Sequence, residues 1–225
     1  TLPSNLGLTV GPNIDYALVA TYNPYTALPV NVVIAKALIS KYFKEEGLTI
    51  GTFAEGDKIV PWKLITEFKG AKLNGLRYEQ LMPFEANDPV TFEGDPFKIV
   101  LGDFVTTEDG TGIVHTSPAF GADDYKVGQK NNLGIITLVD RQGKFIEGVG
   151  EFSGRYVKNY KDEKDFQDVN VDISIKLKKE NRAFKVEKYE HNYPHCWRTD
   201  KPILYYPLDA WFIKTTAVKD RLVEL

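Results

Sequence analysis

The sequence is poor in sulfur, with one Cys and one Met among 225 residues. A single thiol cannot build an intrachain disulfide framework, as expected of a chain in a reducing compartment. Long apolar runs are missing as well. None approaches the roughly 18 residues of a membrane-spanning helix. The first residues, Thr1-Leu2-Pro3-Ser4-Asn5, have neither the basic nor the apolar region of a signal peptide. The expectation is a cytoplasmic protein with no membrane partner. There is no positive excess: 28 Lys and Arg stand against 31 Asp and Glu, a net charge of -3. That removes a global signature of nucleic-acid binding, although a basic patch on one face would suffice for RNA. No internal repeat or low-complexity linker is visible. Nor is there an initiator Met, from which we expect an excised piece of a longer protein.

What is present supports a real core. The chain is 43% hydrophobic, with 13 Phe, 12 Tyr and 3 Trp, enough for one large domain or a domain with a small appendage. Strands are expected at 6–10 and 15–21, split by Gly11-Pro12-Asn13, and at 30–34. Residues 35–46 have helical spacing that stops at Gly47, and 50–57 are ambiguous. Residues 64–88 are expected to form strands around Gly70 and the hairpin-favouring Asn74-Gly75. Strands follow at 98–101 and 112–115, then a helix at 123–130 with acidic residues in its first turn. A hairpin is expected at 134–147 across Arg141-Gln142-Gly143. Val169, Val171, Ile173, Ile175 and Leu177 alternate like a strand, while the following Lys-rich stretch favours a helix end. A strand at 184–189 and a short helix at 215–225 complete the pattern, with 204–207 and 210–214 as a return path. Many short strands and few helices make a β-rich α+β domain.

The densest stretch runs from Asp103 to Tyr125. It holds Gly110-Thr111-Gly112-Ile113-Val114-His115, then Pro118, then Gly121-Ala122-Asp123-Asp124-Tyr125. Small residues let backbone approach a ligand, and His115 and Asp124 could face one pocket. The stretch is not a phosphate loop, because the Walker Lys is missing. No Ser/His/Asp or Cys/His set is recognisable.

These motifs resemble the editing-site signature of isoleucyl-tRNA synthetases, which lies in the insertion splitting their catalytic domain. Thr1-Leu2-Pro3-Ser4-Asn5-Leu6-Gly7-Leu8 resembles the end of their threonine-rich peptide. Tyr193-Pro194-His195-Cys196-Trp197-Arg198 and Trp211-Phe212 resemble the exit of the insertion. The matches occur in the family's order across nearly the whole chain. The resemblance implies a closed β-barrel core with peripheral helices, and a helix at 169–177. It implies an editing domain over 1–190 and a return segment towards the catalytic domain over 191–225. No cofactor is implied in this domain, since ATP and Mg²⁺ serve the catalytic domain.

The implied activity is hydrolysis of valyl-tRNA(Ile) or valyl-adenylate. One missing methylene changes binding by only about 1–3 kcal/mol, a limit for which isoleucyl-tRNA synthetases are themselves the reference example. A second site must therefore clear the wrong product. Such hydrolysis needs a positioned water, a fixed substrate and a stabilised oxyanion, but no protein nucleophile.

On the resemblance, Asp124 matches the editing aspartate, whose carboxylate can hold the α-ammonium. Read alone, it could simply charge a helix N-terminus. Asp123 is expected to be solvated. His115 stands where the family contacts the aminoacyl group, shaping the pocket or holding a water; otherwise it is a packed histidine. Thr1 and Asn5 match the last threonine and the asparagine of the threonine-rich peptide. The tryptophan and threonines that precede them in the family are absent here. Thr106, Thr107, Gly110, Thr111 and Gly112 are the remaining substrate-binding candidates, or ordinary turn and strand residues.

His191, His195 and Cys196 invite a zinc reading. Some relatives have Cys-x-x-Cys here, but this chain has Cys196-Trp197-Arg198-Thr199, too few thiols for a structural site. No metal is expected, and Cys196 is expected to be a buried small hydrophobe. Lys63, Lys69, Lys72, Arg77 and Arg198 could touch a tRNA acceptor end or be solvated charges. The partners implied are that acceptor end, a valyl-adenosine ester or valyl-adenylate, and the rest of the synthetase. Competing readings are the editing domain of a valyl- or leucyl-tRNA synthetase, a non-catalytic tRNA-docking insert, or an unrelated β-barrel ligand-binding module.

Overall fold

The computed structural model describes residues 2–88, 93–188 and 192–223. Among these residues six strands carry the fold: β1 (Gly7–Val10), β2 (Asp15–Tyr22), β3 (Pro29–Ala35), β4 (Trp62–Lys69), β5 (Lys98–Leu101) and β6 (Ile113–Thr116). They form two three-stranded sheets, ordered β5-β1-β6 and β3-β2-β4. Four helices accompany them: α1 (Ile39–Tyr42), α2 (Ala122–Lys130), α3 (Val169–Lys179) and α4 (Lys219–Val223). The protein is mixed α+β with small sheets. Among the described residues, no helix is long and apolar enough to cross a membrane.

The strand pairings give two sheets rather than one closed ring among the described residues, but backbone bonds stitch them together. Ala35 N–H donates to Thr111 O at 2.9 Å. Beyond β4, Gly75 N–H donates to Ile99 O at 2.8 Å and Tyr78 N–H to Phe97 O at 3.1 Å. The chain leaving β4 thus runs along the open edge of β5. Tyr16 fastens the centre. Its fully buried hydroxyl donates to Gly112 O at 2.5 Å and accepts from Gly11 N–H at 3.1 Å. Burial pushes the phenol above its ordinary pKa, so it stays a donor.

Two apolar clusters follow from this layout. One packs Val10, Tyr16, Val19, Ile34, Leu38 and Phe43 around the sheet seam. The other gathers Leu6, Phe97, Leu138, Phe145 and Phe152 with α3. In α3, Val169, Ile173 and Leu177 are buried while Val171 and Ile175 are exposed. The spacing of the buried residues is i, i+4, i+8, so the alternating sequence folds as a helix. Asp168 caps it by accepting from Asn170 N–H at 2.9 Å.

Several expectations need correction. Residues 35–46 do not form one helix: α1 is a single turn between 3-10 turns at Lys36–Leu38 and Glu45–Leu48. Ala35 remains in β3, and Phe43 turns extended to bury itself, 5.5 Å from the Trp62 ring. Packing overrides helix propensity here. Asn74-Gly75 makes no hairpin but moves the chain from β4 to the edge of β5. Residues 184–188 form no strand, and Tyr189 lies outside the described residues. Side-chain anchors replace the ladder: Phe184 packs on Phe43, and Val186 N–H donates to the Tyr25 hydroxyl. The turn at 141–143 does form, and its flanks pair over a short stretch: beside the Val139–Phe145 bridge, Asp140 N–H donates to Lys144 O at 2.8 Å and Ile146 N–H to Leu138 O at 3.0 Å. At the C-terminal end, only Lys219–Val223 is α-helical, after a 3-10 turn, and residues 224–225 lie outside the described residues.

Replacing Tyr16 by Phe would strand the Gly11 N–H and the Gly112 carbonyl in a dry seam. We expect a loss of about 1–3 kcal/mol, read as a lower urea midpoint at an unchanged m-value. An unaltered midpoint would show that the hydroxyl does not join the sheets.

Candidate functional site

The β1–β6 register creates the site. Gly7 lies opposite Thr116 and Leu8 opposite His115 in an antiparallel pair. Residues just before β1 therefore meet residues just after His115. Leu6 N–H donates to Thr116 O at 3.0 Å, and the Ser117 hydroxyl to Ser4 O at 3.0 Å. The buried Thr9 and Thr116 hydroxyls bond each other at 2.6 Å on the other face.

Asn5 is buried at the centre. Its Nδ2 donates to Gly7 O at 2.8 Å and lies 2.9 Å from His115 Nδ1. Its Oδ1 accepts from the Tyr78 hydroxyl at 2.5 Å. His115 Nε2 is buried and has no hydrogen-bond partner among the described residues. Burial drives the imidazole pKa down from 6.5 to about 4, so the ring is neutral at pH 7.

Asp124 enters from the first turn of α2. Its Oδ2 accepts from Ser117 N–H at 3.0 Å, closing the loop through Pro118 and Gly121. A Cβ at Gly121 would stand 3.2 Å from this carboxyl group, and one at Gly128 only 2.6 Å from Pro118 Cγ. The small residues of the motif thus let loop and helix close together. The carboxyl is half-buried, and burial raises its pKa above the usual carboxylate value, partly opposed by the Ser117 bond. Asp123 is exposed and pairs with Lys126 at 3.2 Å.

Asn5 bonds His115 directly, while Asp124 is tied to Ser117, which in turn bonds Ser4. Thr1 lies outside the described residues. Gly110, Thr111 and Gly112 lead into the other end of β6, about 10 Å from its His115 end at the rise of a strand, and Thr106 and Thr107 lie on the loop before them. Thr106 and Gly110 are exposed, and the Gly110 carbonyl accepts from the Tyr42 hydroxyl at 2.8 Å. Gly112 has φ +76° and no room for a side chain, since a Cβ would sit 2.5 Å from that of Ala35. Thr111 lines an apolar cavity of about 550 Å³ with Leu2, Val32, Ile34, Phe43 and Leu177. Tyr78, Ser4 and Ser117 escaped sequence reasoning. No motif marks Tyr78, which reaches the site only because residues 75–78 follow β5.

Among the described residues, no three His, Cys, Asp or Glu side chains are gathered around a common point. His195 Nδ1 bonds Tyr193 O at 2.8 Å, and His191 lies outside the described residues. Cys196 is only partly buried, contrary to expectation, because it sits in a turn closed by Lys201 and Asp200. A hydrogen bond from Thr199 holds its thiol below the ordinary pKa. Among the basic candidates, Lys69 pairs with Asp15, Arg77 with Asp95, and Arg198 stacks on Trp197.

No protein-family model matches the chain. Its full length aligns, at 52% identity over 250 residues, with an isoleucine–tRNA ligase of Cytophaga hutchinsonii. The chain belongs with the isoleucine–tRNA ligases. Enzymes of that name from Bacteroides fragilis and Thermoplasma acidophilum also align over the whole chain, at 46% and 40% identity. The chain spans 22% of the length of the Cytophaga ligase and 18% of the Thermoplasma ligase. Among solved structures, GlLeuRS-CP1 overlaps 57% of the chain and 40% of its own, at 16% identity and a TM-score of 0.37.

Within this ligase segment, His115 links stability to pH. Between pH 6.5 and about 4 the unfolded chain takes up a proton there that the folded chain refuses. Stability is therefore lost as pH falls through that window, by up to about 3 kcal/mol. His115→Gln removes this component. The urea-derived stability difference between wild type and variant should shift by that amount between pH 7 and pH 4. A constant difference would contradict the buried neutral imidazole. For Asp124 the sign is opposite: its pKa is raised, so ionisation at pH 7 costs folding energy. Asp124→Asn should match or exceed wild-type thermal stability at pH 7, and a clear loss would contradict the strained carboxylate.

Proposed function

We propose that this chain is the hydrolytic editing domain of an isoleucine–tRNA ligase, clearing valine from valyl-tRNA(Ile) or valyl-adenylate. One observation carries the reading. Of the two residues that match the editing motif, His115 bonds Asn5 of the threonine-rich peptide, and Asp124 bonds Ser117, whose hydroxyl bonds Ser4 next to Asn5, all at one end of β6.

The half-buried Asp124 carboxylate takes the α-ammonium of the aminoacyl group. Its Oδ2 is committed to Ser117, so Oδ1 faces the amine. Partial burial strengthens that ion pair, which is formed only by a free amino-acid ester. Water adds to the carbonyl carbon, the ester C–O bond breaks, and the terminal ribose oxygen leaves with a proton. Valine departs as its carboxylate. Thr1 and His115 limit the room for the side chain, so isoleucine is excluded by size. Thr111 offers a more distant wall, Gly110 and Gly112 shape the seam, and Thr106 and Thr107 stand on the connecting loop.

The same reading treats the two sheets as a barrel whose ring is closed by the Ala35–Thr111 bond and by residues 75–78 along β5. It assigns 1–190 to the editing domain and 191–225 to the return towards a catalytic domain. The exposed Trp211 and Phe212 would face the rest of the synthetase. The partners are the tRNA(Ile) acceptor end and the cytoplasmic ligase. ATP and Mg²⁺ belong to the catalytic domain, not to this site.

The test is deacylation of valyl-tRNA(Ile) against isoleucyl-tRNA(Ile), by this chain alone and within a full-length ligase. Selective loss of valine is expected. Asp124→Ala should slow it by at least about a hundredfold, the equivalent of roughly 3 kcal/mol. Valine clearance that survives Asp124→Ala in the full-length enzyme would overturn the site. Binding of tRNA without cleavage in either context would make the domain a docking insert.

A further inference from the structure

We infer that the Gly7 carbonyl and Tyr78, acting together through Asn5, fix His115 as the Nε2–H tautomer and so make it a hydrogen-bond donor to the ester carbonyl, not a base. The inference rests on the editing reading and specifies how its site works.

The chain of reasoning starts at Gly7. Its carbonyl can only accept, and it lies 2.8 Å from one amide atom of Asn5. That atom must be Nδ2. The amide oxygen then faces Tyr78, whose hydroxyl donates to it at 2.5 Å. Nδ2 has a second hydrogen, and the remaining neighbour is His115 Nδ1 at 2.9 Å. Nδ1 must therefore offer its lone pair. A neutral imidazole with an accepting Nδ1 carries its proton on Nε2. A doubly protonated ring would set N–H against N–H, and burial already disfavours that charge.

Nε2 is thus a buried donor without a partner among the described residues. Such a group bears a desolvation penalty that a substrate acceptor can relieve. The acceptor gaining most is the ester carbonyl oxygen, which becomes an oxyanion as water adds to its carbon. A neutral Nε2–H has no lone pair with which to deprotonate that water, so the proton passes to the leaving oxygen or to solvent.

Tyr78 is suited to hold this arrangement. Its backbone is bonded to Phe97, and its ring meets that of Phe97 edge-on, at a 6.1 Å centroid distance. Burial raises its pKa well above that of a free phenol, so the hydroxyl keeps its proton. His115 is the catalytic residue here, and Tyr78 and Asn5 are positioning residues.

The test combines spectroscopy with kinetics. The chain has three His, so the His115 signals of a ¹⁵N-histidine sample can be assigned with His115→Gln. At pH 7 we expect an unprotonated-type Nδ1 and a protonated-type Nε2. Asn5→Asp should move the proton to Nδ1, because a carboxylate there can only accept. Tyr78→Phe should give mixed tautomers and lower kcat for valyl-tRNA(Ile) deacylation roughly tenfold or more, with little change in KM. Circular dichroism would check that this variant keeps its fold. A protonated Nδ1 in the wild type would overturn the inference, as would a Tyr78→Phe variant with unchanged spectrum and kcat. If the wild type cleaves no ester at all, the editing reading falls, while the spectrum still decides the tautomer. The two failures are therefore separable.

Discussion

The antiparallel register of β1 against β6 is the constraint on which the site depends. It joins residues more than a hundred positions apart with no covalent help. A slip of one residue would turn His115 to the opposite face of the sheet. The apolar faces prevent that slip. Val10 packs into the seam cluster, while Leu6 packs into the cluster beneath α3. Hydrophobic burial thus sets the register, and the register sets the polar geometry.

That geometry is concentrated in one side chain. The Asn5 amide satisfies the Gly7 carbonyl, the Tyr78 hydroxyl and His115 Nδ1 together. In a partly buried place each unmet polar group would be costly, so a fully used amide has one orientation. Asp124 is held differently, by a backbone amide across a short loop, and keeps part of its carboxylate open to solvent. One group is shaped to donate and the other to carry charge.

Much of this was legible in the sequence. β1, β2, β3, β5 and β6 follow from β-branched runs between Gly, Pro and Asn turns, and α2 from its acidic first turn. Residues 169–177 were readable only with help, because alternation and helical spacing coincide there. Residues 35–46 and 184–188 were misread for a shared reason: Phe43 and Phe184 pack on each other, and tertiary burial outweighed local periodicity. Asp124 and His115 stood out through motif resemblance. Tyr78 carried no signal, since its role depends on a strand edge created by the turn at Asn74-Gly75. Of the two glycines tied to substrate by sequence, Gly112 lies against Ala35, while Gly110 has open space where a Cβ would stand.

The most direct test of the central claim, that an aminoacyl group sits among Asn5, His115 and Asp124, is a titration of ¹⁵N-labelled chain with a non-hydrolysable valyl-adenosine amide. Backbone amide shifts should be largest at Asn5 to Leu8 and from Thr116 to Asp124, and Asp124→Ala should abolish them. Shifts centred instead on residues 106–112, or shifts unaffected by Asp124→Ala, would contradict it.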